Sequence, residues 1–276
     1  MATVTANGTE LCYETAGEGP PLVLLHGTMM DGRPWAELAR PLADASRLVV
    51  PDLRGHGRTG GSERDSYSVG LFADDVHALV TELDLGAPVV VGHSLGGFVA
   101  LCYAARYTDA CAGFVTLGAE VPEPLSLGER IEPYRPALVN ALAPLLGRER
   151  VKDLLVRLDS LRFDERGKGD MAAIERVHDR HGDDVPAMDD AERAKVDAAL
   201  ERYHEEFIAY DEITVPSLHL VGEYEIPQVQ RHGRYMSERL PDGEFREIPK
   251  AGHVSYVDRP AFVRQTLREF CAGVRG

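Results

Sequence analysis

Cysteine is scarce in this chain of 276 residues, and the four that occur (Cys12, Cys102, Cys111 and Cys271) stand far apart with no C-x-x-C pair. No histidines cluster at metal-ligand spacing, so neither a zinc site nor a disulfide framework is signalled, and no metal is expected. Reduced thiols in a cytoplasm fit this pattern best. Lysine is also rare: only four of the 30 basic residues are lysine, set against 45 acidic ones. That Arg-rich, acidic balance suits a high-salt cytoplasm, and codon bias in an ordinary cytosolic protein produces it equally well. Long apolar runs are missing, and the opening stretch MATVTANGTELCYE has no basic segment leading into an apolar one. Neither a membrane span nor an export signal is therefore read, and the chain is expected to be soluble and cytoplasmic. The formal charge of -15 repels phosphate backbones and anionic bilayers, which excludes nucleic acid and membrane as expected partners.

Apolar residues make up 44% of the chain, enough for the core of one elaborated α/β domain. As far as the stretch beginning at Gly113, short apolar runs alternate with amphipathic stretches, the pattern of strands joined by crossover helices in a largely parallel sheet. Buried parallel strands are nearly continuous in apolar residues, as are PLVLLHG from Pro21, RLVVPD from Arg47, PVVVGHS from Pro88 and GFVTLGA from Gly113. Asn7-Gly8 between two alternating segments predicts a hairpin. Val69, Phe72, Val76, Leu79, Val80 and Leu83 recur at helical spacing and predict a helix lying on the sheet.

After Ala119 the alternation stops. Residues Val121 to Asp211 hold no convincing strand, only charged helix-like stretches broken by Pro122, Pro124, Pro133, Pro136, Pro144 and Pro186, and they predict a helical insertion. Within it Asp189 reads as an N-cap with Glu192 three residues on, after which Val196, Leu200, Tyr203, Phe207 and Tyr210 fall on one helical face. Strand signals return at SLHLVG from Ser217 and EFREIP from Glu244, and Arg259 to Cys271 reads as a closing helix.

The sharpest local signal is Gly92-His93-Ser94-Leu95-Gly96-Gly97, directly after PVVV and before the helix-like FVALCYAARY. A serine on a tight strand-to-helix turn is presented above the sheet, and flanking glycines let neighbouring segments approach it. The N-terminus of the following helix favours developing negative charge there. Serine is a weak nucleophile without a base in reach. His253 follows the last predicted strand and emerges at the same carboxyl edge of the sheet, where ligand and catalytic groups gather. An imidazole base needs an acceptor to hold its tautomer. Glu225, after the strand SLHLVG, is the first choice, with Glu223 and Glu120 as rivals. In the loop His26-Gly27-Thr28-Met29-Met30-Asp31-Gly32, the backbone N–H of Thr28 is placed to join that of Leu95 as an oxyanion hole.

These residues together resemble the α/β-hydrolase superfamily in its single-domain form with an inserted cap. The resemblance rests on His26-Gly27, on Pro51-Asp52-Leu53-Arg54-Gly55-His56-Gly57, on the Gly92 to Gly96 turn and on the chain order Ser, acid, His. It also includes Gly222-Glu223-x-Glu225-Ile226-Pro227 and Gly252-His253 followed by Asp258-x-Pro260. It implies an α/β fold with a mostly parallel central sheet flanked by helices, a core of residues 1–120 and 212–276, and a helical cap over 121–211. It further implies a triad of Ser94, His253 and Glu225, where the family more often has Asp at the acid position, and a structural role for Arg54 to Gly57. The expected activity is that of a serine esterase or lactonase acting on a small molecule without a cofactor. C–C bond hydrolysis and perhydrolysis run on the same scaffold, and a receptor or carrier that retains the triad is the alternative of another class. A carboxylate stands in place of Ser94 in the family's dehalogenases, which disfavours that chemistry here.

Overall fold

The computed structural model describes residues 1–126 and 188–274, with residues 129, 130, 141, 144, 147 and 150 between them. The first hairpin joins β1 (Ala2–Ala6) to β2 (Thr9–Ala16) through Asn7 at φ 46° and Gly8 at φ 73°. Two positive φ values make a turn whose twist matches that of the strands, which is why Asn-Gly occupies it. Next come β3 (Pro21–Leu25), β4 (Arg47–Pro51), β5 (Val89–His93), β6 (Gly113–Leu117), β7 (Ser217–Gly222) and β8 (Gly243–Ile248). The eight strands form one sheet in the order β1-β2-β4-β3-β5-β6-β7-β8. Only the β1/β2 and β2/β4 pairings are antiparallel. The strand from Pro21, its neighbours and the two late strands all form where the apolar runs predict them.

Alternation along each strand divides the core into two layers. Leu22 and Leu24 of β3 face α1 (Ala36–Leu42) and the closing helix, packing with Leu38, Leu42, Val263 and Leu267. Val23 and Leu25 face α2 (Val69–Glu82) and α3 (Leu95–Arg106), packing with Phe72, Val76, Val99 and Tyr103. Val69, Phe72, Val76, Leu79 and Val80 of the predicted stripe lie on the buried face of α2, with Leu83 half-buried at its C-cap, and the N-cap Ser68 accepts a hydrogen bond from the Leu71 N–H at 3.0 Å. The described helices after β6 include α4 (Asp190–Glu201), α5 (Pro227–Arg239) and the short α6 (Ser255–Asp258). The closing helix α7 (Pro260–Gly273) starts on Pro260, which needs no N–H partner there. No helix among the described residues is long and apolar enough to cross a membrane.

Asp189 caps α4 as its spacing predicts, accepting from the Glu192 N–H at 2.8 Å. The single face running on to Tyr210 does not form. α4 ends at Glu201, Tyr203 and Tyr210 lie in separate 3-10 turns, and Phe207 is 87% exposed. Tertiary hydrogen bonds explain the break. Arg202 donates to the Tyr67 carbonyl at 2.9 Å, and Glu206 accepts from the Gly70 N–H at 2.9 Å, so the chain is drawn off its helical path onto the start of α2. Tyr203 then stacks on Phe98 with ring centroids 4.6 Å apart. Most of the expected insertion, 131–187 apart from isolated positions, lies outside the described residues; among those described, no strand falls between Val121 and Asp211.

Candidate active site

Parallel pairing brings the carboxyl ends of β3, β5, β6, β7 and β8 to one edge, and the loops leaving that edge carry the site. Ser94 joins β5 to α3 with φ 51° and ψ -118°, a conformation costly for a residue with a Cβ. The turn is held by the Ser94 N–H donating to the Leu117 carbonyl at 2.9 Å. A Cβ on Gly92 would collide with the Gly96 carbonyl, and one on Gly96 with the Leu25 carbonyl, so both positions exclude any larger residue. Leu95 opens α3, and its N–H belongs to the first turn of the helix, where intrahelical acceptors are lacking.

The loop after β3 closes tightly on this turn. A Cβ on Gly27 would stand 3.2 Å from Cβ of Ser94, so glycine permits the approach. The Gly27 carbonyl accepts from Nδ1–H of His26 at 2.8 Å, because Nε2 of the same ring accepts from the Leu53 N–H at 2.9 Å. Burial pushes the His26 pKa down and keeps the ring neutral, as this tautomer requires. The carbonyl of one peptide and its N–H point in opposite directions. Fixing the Gly27 carbonyl therefore also fixes the direction of the Thr28 N–H.

Nδ1 of His253 lies 2.6 Å from Oε2 of Glu225. The other Glu225 oxygen accepts from the Ile226 N–H at 2.9 Å, which orients the carboxylate. Glu225 is buried, whereas the His253 imidazole is 35% exposed. Burial works to lower the His253 pKa, but the hydrogen bond and charge of Glu225, with the charge of Glu120, outweigh it and leave the value above that of an ordinary histidine. Gly118, at φ 60°, passes close to this pair: a Cβ there would stand 3.2 Å from Nδ1 of His253 and 3.3 Å from Oε2 of Glu225.

The rival carboxylates have other partners. Glu120 accepts from Nε2 of Gln228 at 3.1 Å, and burial raises its pKa. Glu223 accepts from the Lys250 N–H at 2.8 Å in an exposed turn. In the Arg54 to Gly57 stretch, Arg54 forms an ion pair with Asp75 at 2.6 Å with both side chains 1% exposed, and the His56 ring packs 5.1 Å from that of His26. A cavity of about 550 Å³ adjoins the β6 exit, lined by Glu120, Tyr203 and Leu200 together with Gln228 and His232. Among the described residues, no group of His, Cys, Asp or Glu side chains is placed to hold a metal ion, and all four cysteines are buried.

Sequence reasoning missed His93. Its Nε2–H donates to the His253 carbonyl at 3.0 Å, and the only signal was its position directly before Ser94. It also missed Asp258 as the acceptor for the Gly252 N–H at 2.7 Å, which ties the His253 loop to the end of α6.

The family model described as alpha/beta hydrolase fold matches residues 20–260. A non-heme chloroperoxidase of Kitasatospora aureofaciens is 36% identical over 120 residues, 43% of this chain and 43% of that protein, so the match spans less than half of the relative. Among solved structures, a thermophilic esterase from Thermogutta terrifontis superposes with a TM-score of 0.73 at 26% identity, covering 100% of this chain and 99% of the other. The enol-lactonase from Burkholderia xenovorans LB400 superposes with a TM-score of 0.72 at 21% identity, covering 98% and 100%, a likeness of fold. With a family match over most of its length and a sheet of the same kind, this chain belongs to the α/β-hydrolase-fold family, whose members include hydrolytic enzymes.

Proposed function

We propose that the chain is a serine hydrolase that cleaves a carboxylic ester or lactone of a small molecule through an acyl-enzyme. The observation that carries this reading is the 2.6 Å contact between His253 and Glu225 at the sheet edge where Ser94 occupies its strained turn. With Nδ1–H held by Glu225, Nε2 of His253 is the basic nitrogen left to take the Ser94 proton. Ser94 Oγ then bonds to the substrate carbonyl carbon, and the carbonyl oxygen becomes an oxyanion facing the N–H groups of Thr28 and Leu95. Loss of one such donor typically costs about 3 kcal/mol. His253 returns its proton to the leaving alcohol and activates water for deacylation.

The similarity to the Thermogutta terrifontis esterase supports the choice of ester chemistry. The small number of cysteines, scattered with no C-x-x-C pair, supports a cytoplasmic setting. The same proposal includes 121–211 as a cap and 1–120 with 212–276 as the core: Leu200 and Tyr203, from the described end of that segment, line the cavity beside Glu120. A panel of p-nitrophenyl esters and lactones tests the proposal, and steady turnover lost in Ser94→Ala is the expected result. Stoichiometric binding with no turnover by any member would favour a receptor or carrier instead.

The relative named non-heme chloroperoxidase favours a second reading on the same residues, in which hydrogen peroxide replaces water as the acceptor of the acyl group. Peracid formed from a carboxylic acid or ester plus peroxide, dependent on Ser94, would establish it.

A further inference from the structure

We propose that His93 is a positioning residue that holds the backbone of His253 in register with Ser94. The inference rests on the reading of His253 as the general base.

His93 is buried, and its Nε2 lies 3.0 Å from the carbonyl oxygen of His253. A carbonyl only accepts, so Nε2 carries the proton and Nδ1 is left as a bare acceptor. Among the described residues Nδ1 has no hydrogen-bond partner. Burial, and next the charge of a protonated His253, push the His93 pKa well down, so the ring stays in the neutral form that this tautomer needs. Three segments of the site meet at this one ring. Its own backbone leads into the Ser94 turn; its Nε2–H grips the His253 loop; and a Cβ on Gly27 would stand 2.8 Å from its Nδ1, so the loop after β3 packs against it. Its ring centroid is 4.9 Å from that of His253 and 5.1 Å from that of Tyr256, which stacks on Trp35 at 4.0 Å.

An apolar ring would fill the same space without leaving a buried lone pair unsatisfied. What an apolar ring cannot supply is the N–H for the His253 carbonyl. The polar side chain is therefore explained by that bond, which couples the residue before the nucleophile to the residue proposed as its base, 160 positions away. Among the described residues the His253 imidazole is hydrogen-bonded to Glu225, and displacement of its backbone changes the reach of Nε2 toward Ser94. Misplacement by about 1 Å is enough to cost on the order of 10²-fold in rate.

The test compares His93→Leu, His93→Asn and His93→Gln with the unmodified chain, reading kcat, KM, the pH midpoint of kcat/KM and the rate of fluorophosphonate labelling at Ser94. Gln carries an N–H at about the reach of Nε2; Asn is too short and Leu has none. His93→Leu and His93→Asn are expected to lower kcat and labelling on the order of 10²-fold with KM little changed. Their pH midpoint should fall toward that of an ordinary histidine as the Glu225 hydrogen bond loosens. His93→Gln should recover most of both. If the Leu variant does not fold, the contrast between Asn and Gln carries the test. Equal kcat and midpoint in Asn and Gln, or a Leu variant as fast as the unmodified chain, overturns the positioning role. Turnover that survives Ser94→Ala removes nucleophile and base together, and His93 with them. Turnover that needs Ser94 but ignores His93 overturns this inference alone.

Discussion

Glu225 and His253 stand 28 positions apart in the chain, yet Oε2 of one meets Nδ1 of the other at 2.6 Å, each leaving the carboxyl end of its own strand, β7 and β8. The neighbouring carboxylates Glu120 and Glu223 are taken by Gln228 and by the Lys250 N–H. Glu225→Gln should therefore lower kcat by about 10³ to 10⁴, because the amide holds the wrong tautomer of the imidazole or holds the right one weakly. Glu120→Gln should be mild, since an amide can still face Gln228. Steady-state kinetics of the two variants check the ranking, and the reverse order would move the acid to the end of β6.

Ser94→Ala should lower kcat by about four orders of magnitude or more with an unchanged far-UV spectrum. A fluorophosphonate should add once, on the peptide containing Ser94. Intact-mass spectrometry of an active preparation that shows no adduct would remove Ser94 from the mechanism.

In the proposed mechanism the neutral imidazole of His253 is the base, and against the lowering effect of burial the hydrogen bond and charge of Glu225 hold its pKa above the ordinary value. The expected profile of kcat/KM thus rises with pH through one ionisation whose midpoint exceeds about 6.5. Glu225→Gln should move that midpoint down by removing the hydrogen bond and charge that raise it. The same shift has a consequence for stability: the protonated pair stabilises the fold fully below the unfolded-state pKa, and that contribution is lost as pH rises through the folded value. Comparing urea midpoints of the unmodified chain and Glu225→Gln across pH 5 to about 8 checks the sign.

Arg54 and Asp75 share a hydrogen-bonded ion pair, with Asn7 adding a bond to Asp75 at 2.7 Å. Asp75→Ala leaves a buried guanidinium without its anion and should cost about 3 to 5 kcal/mol in denaturant unfolding. The hydrogen-bond partners of the pair include Asn7 and none of the residues of the proposed mechanism, so kcat of the folded fraction should be unchanged.

The aromatic residues after α4 should separate into two kinds. Tyr203 is buried against Phe98, and Tyr203→Ala should cost about 3 to 5 kcal/mol. Phe207 is 87% exposed, and Phe207→Ser should leave stability within about 0.5 kcal/mol. Leu200 lines the cavity next to Glu120, so Leu200→Ala should alter the preference among acyl chain lengths in the ester panel.

The strands and the helix that precedes β5 were legible in the sequence because buried parallel strands and sheet-facing helices impose runs and spacings that depend on little beyond local geometry. The Ser94 turn was legible for the same reason: Gly92 and Gly96 are demanded by contacts with close chain neighbours and with the adjoining strand. The face from Val196 to Tyr210 was misread because periodicity carries no record of Arg202 and Glu206 bonding to the start of α2.

By itself, then, the sequence determined which residue types reach the carboxyl edge of the sheet, since period and glycine placement are written locally. Only the tertiary structure decided which of Glu120, Glu223 and Glu225 meets His253, and that His93 grips the His253 backbone. Those pairings depend on strand order and on the paths of separate loops. A hydrogen bond is made or missed over a fraction of an ångström, and no spacing along the chain encodes that distance.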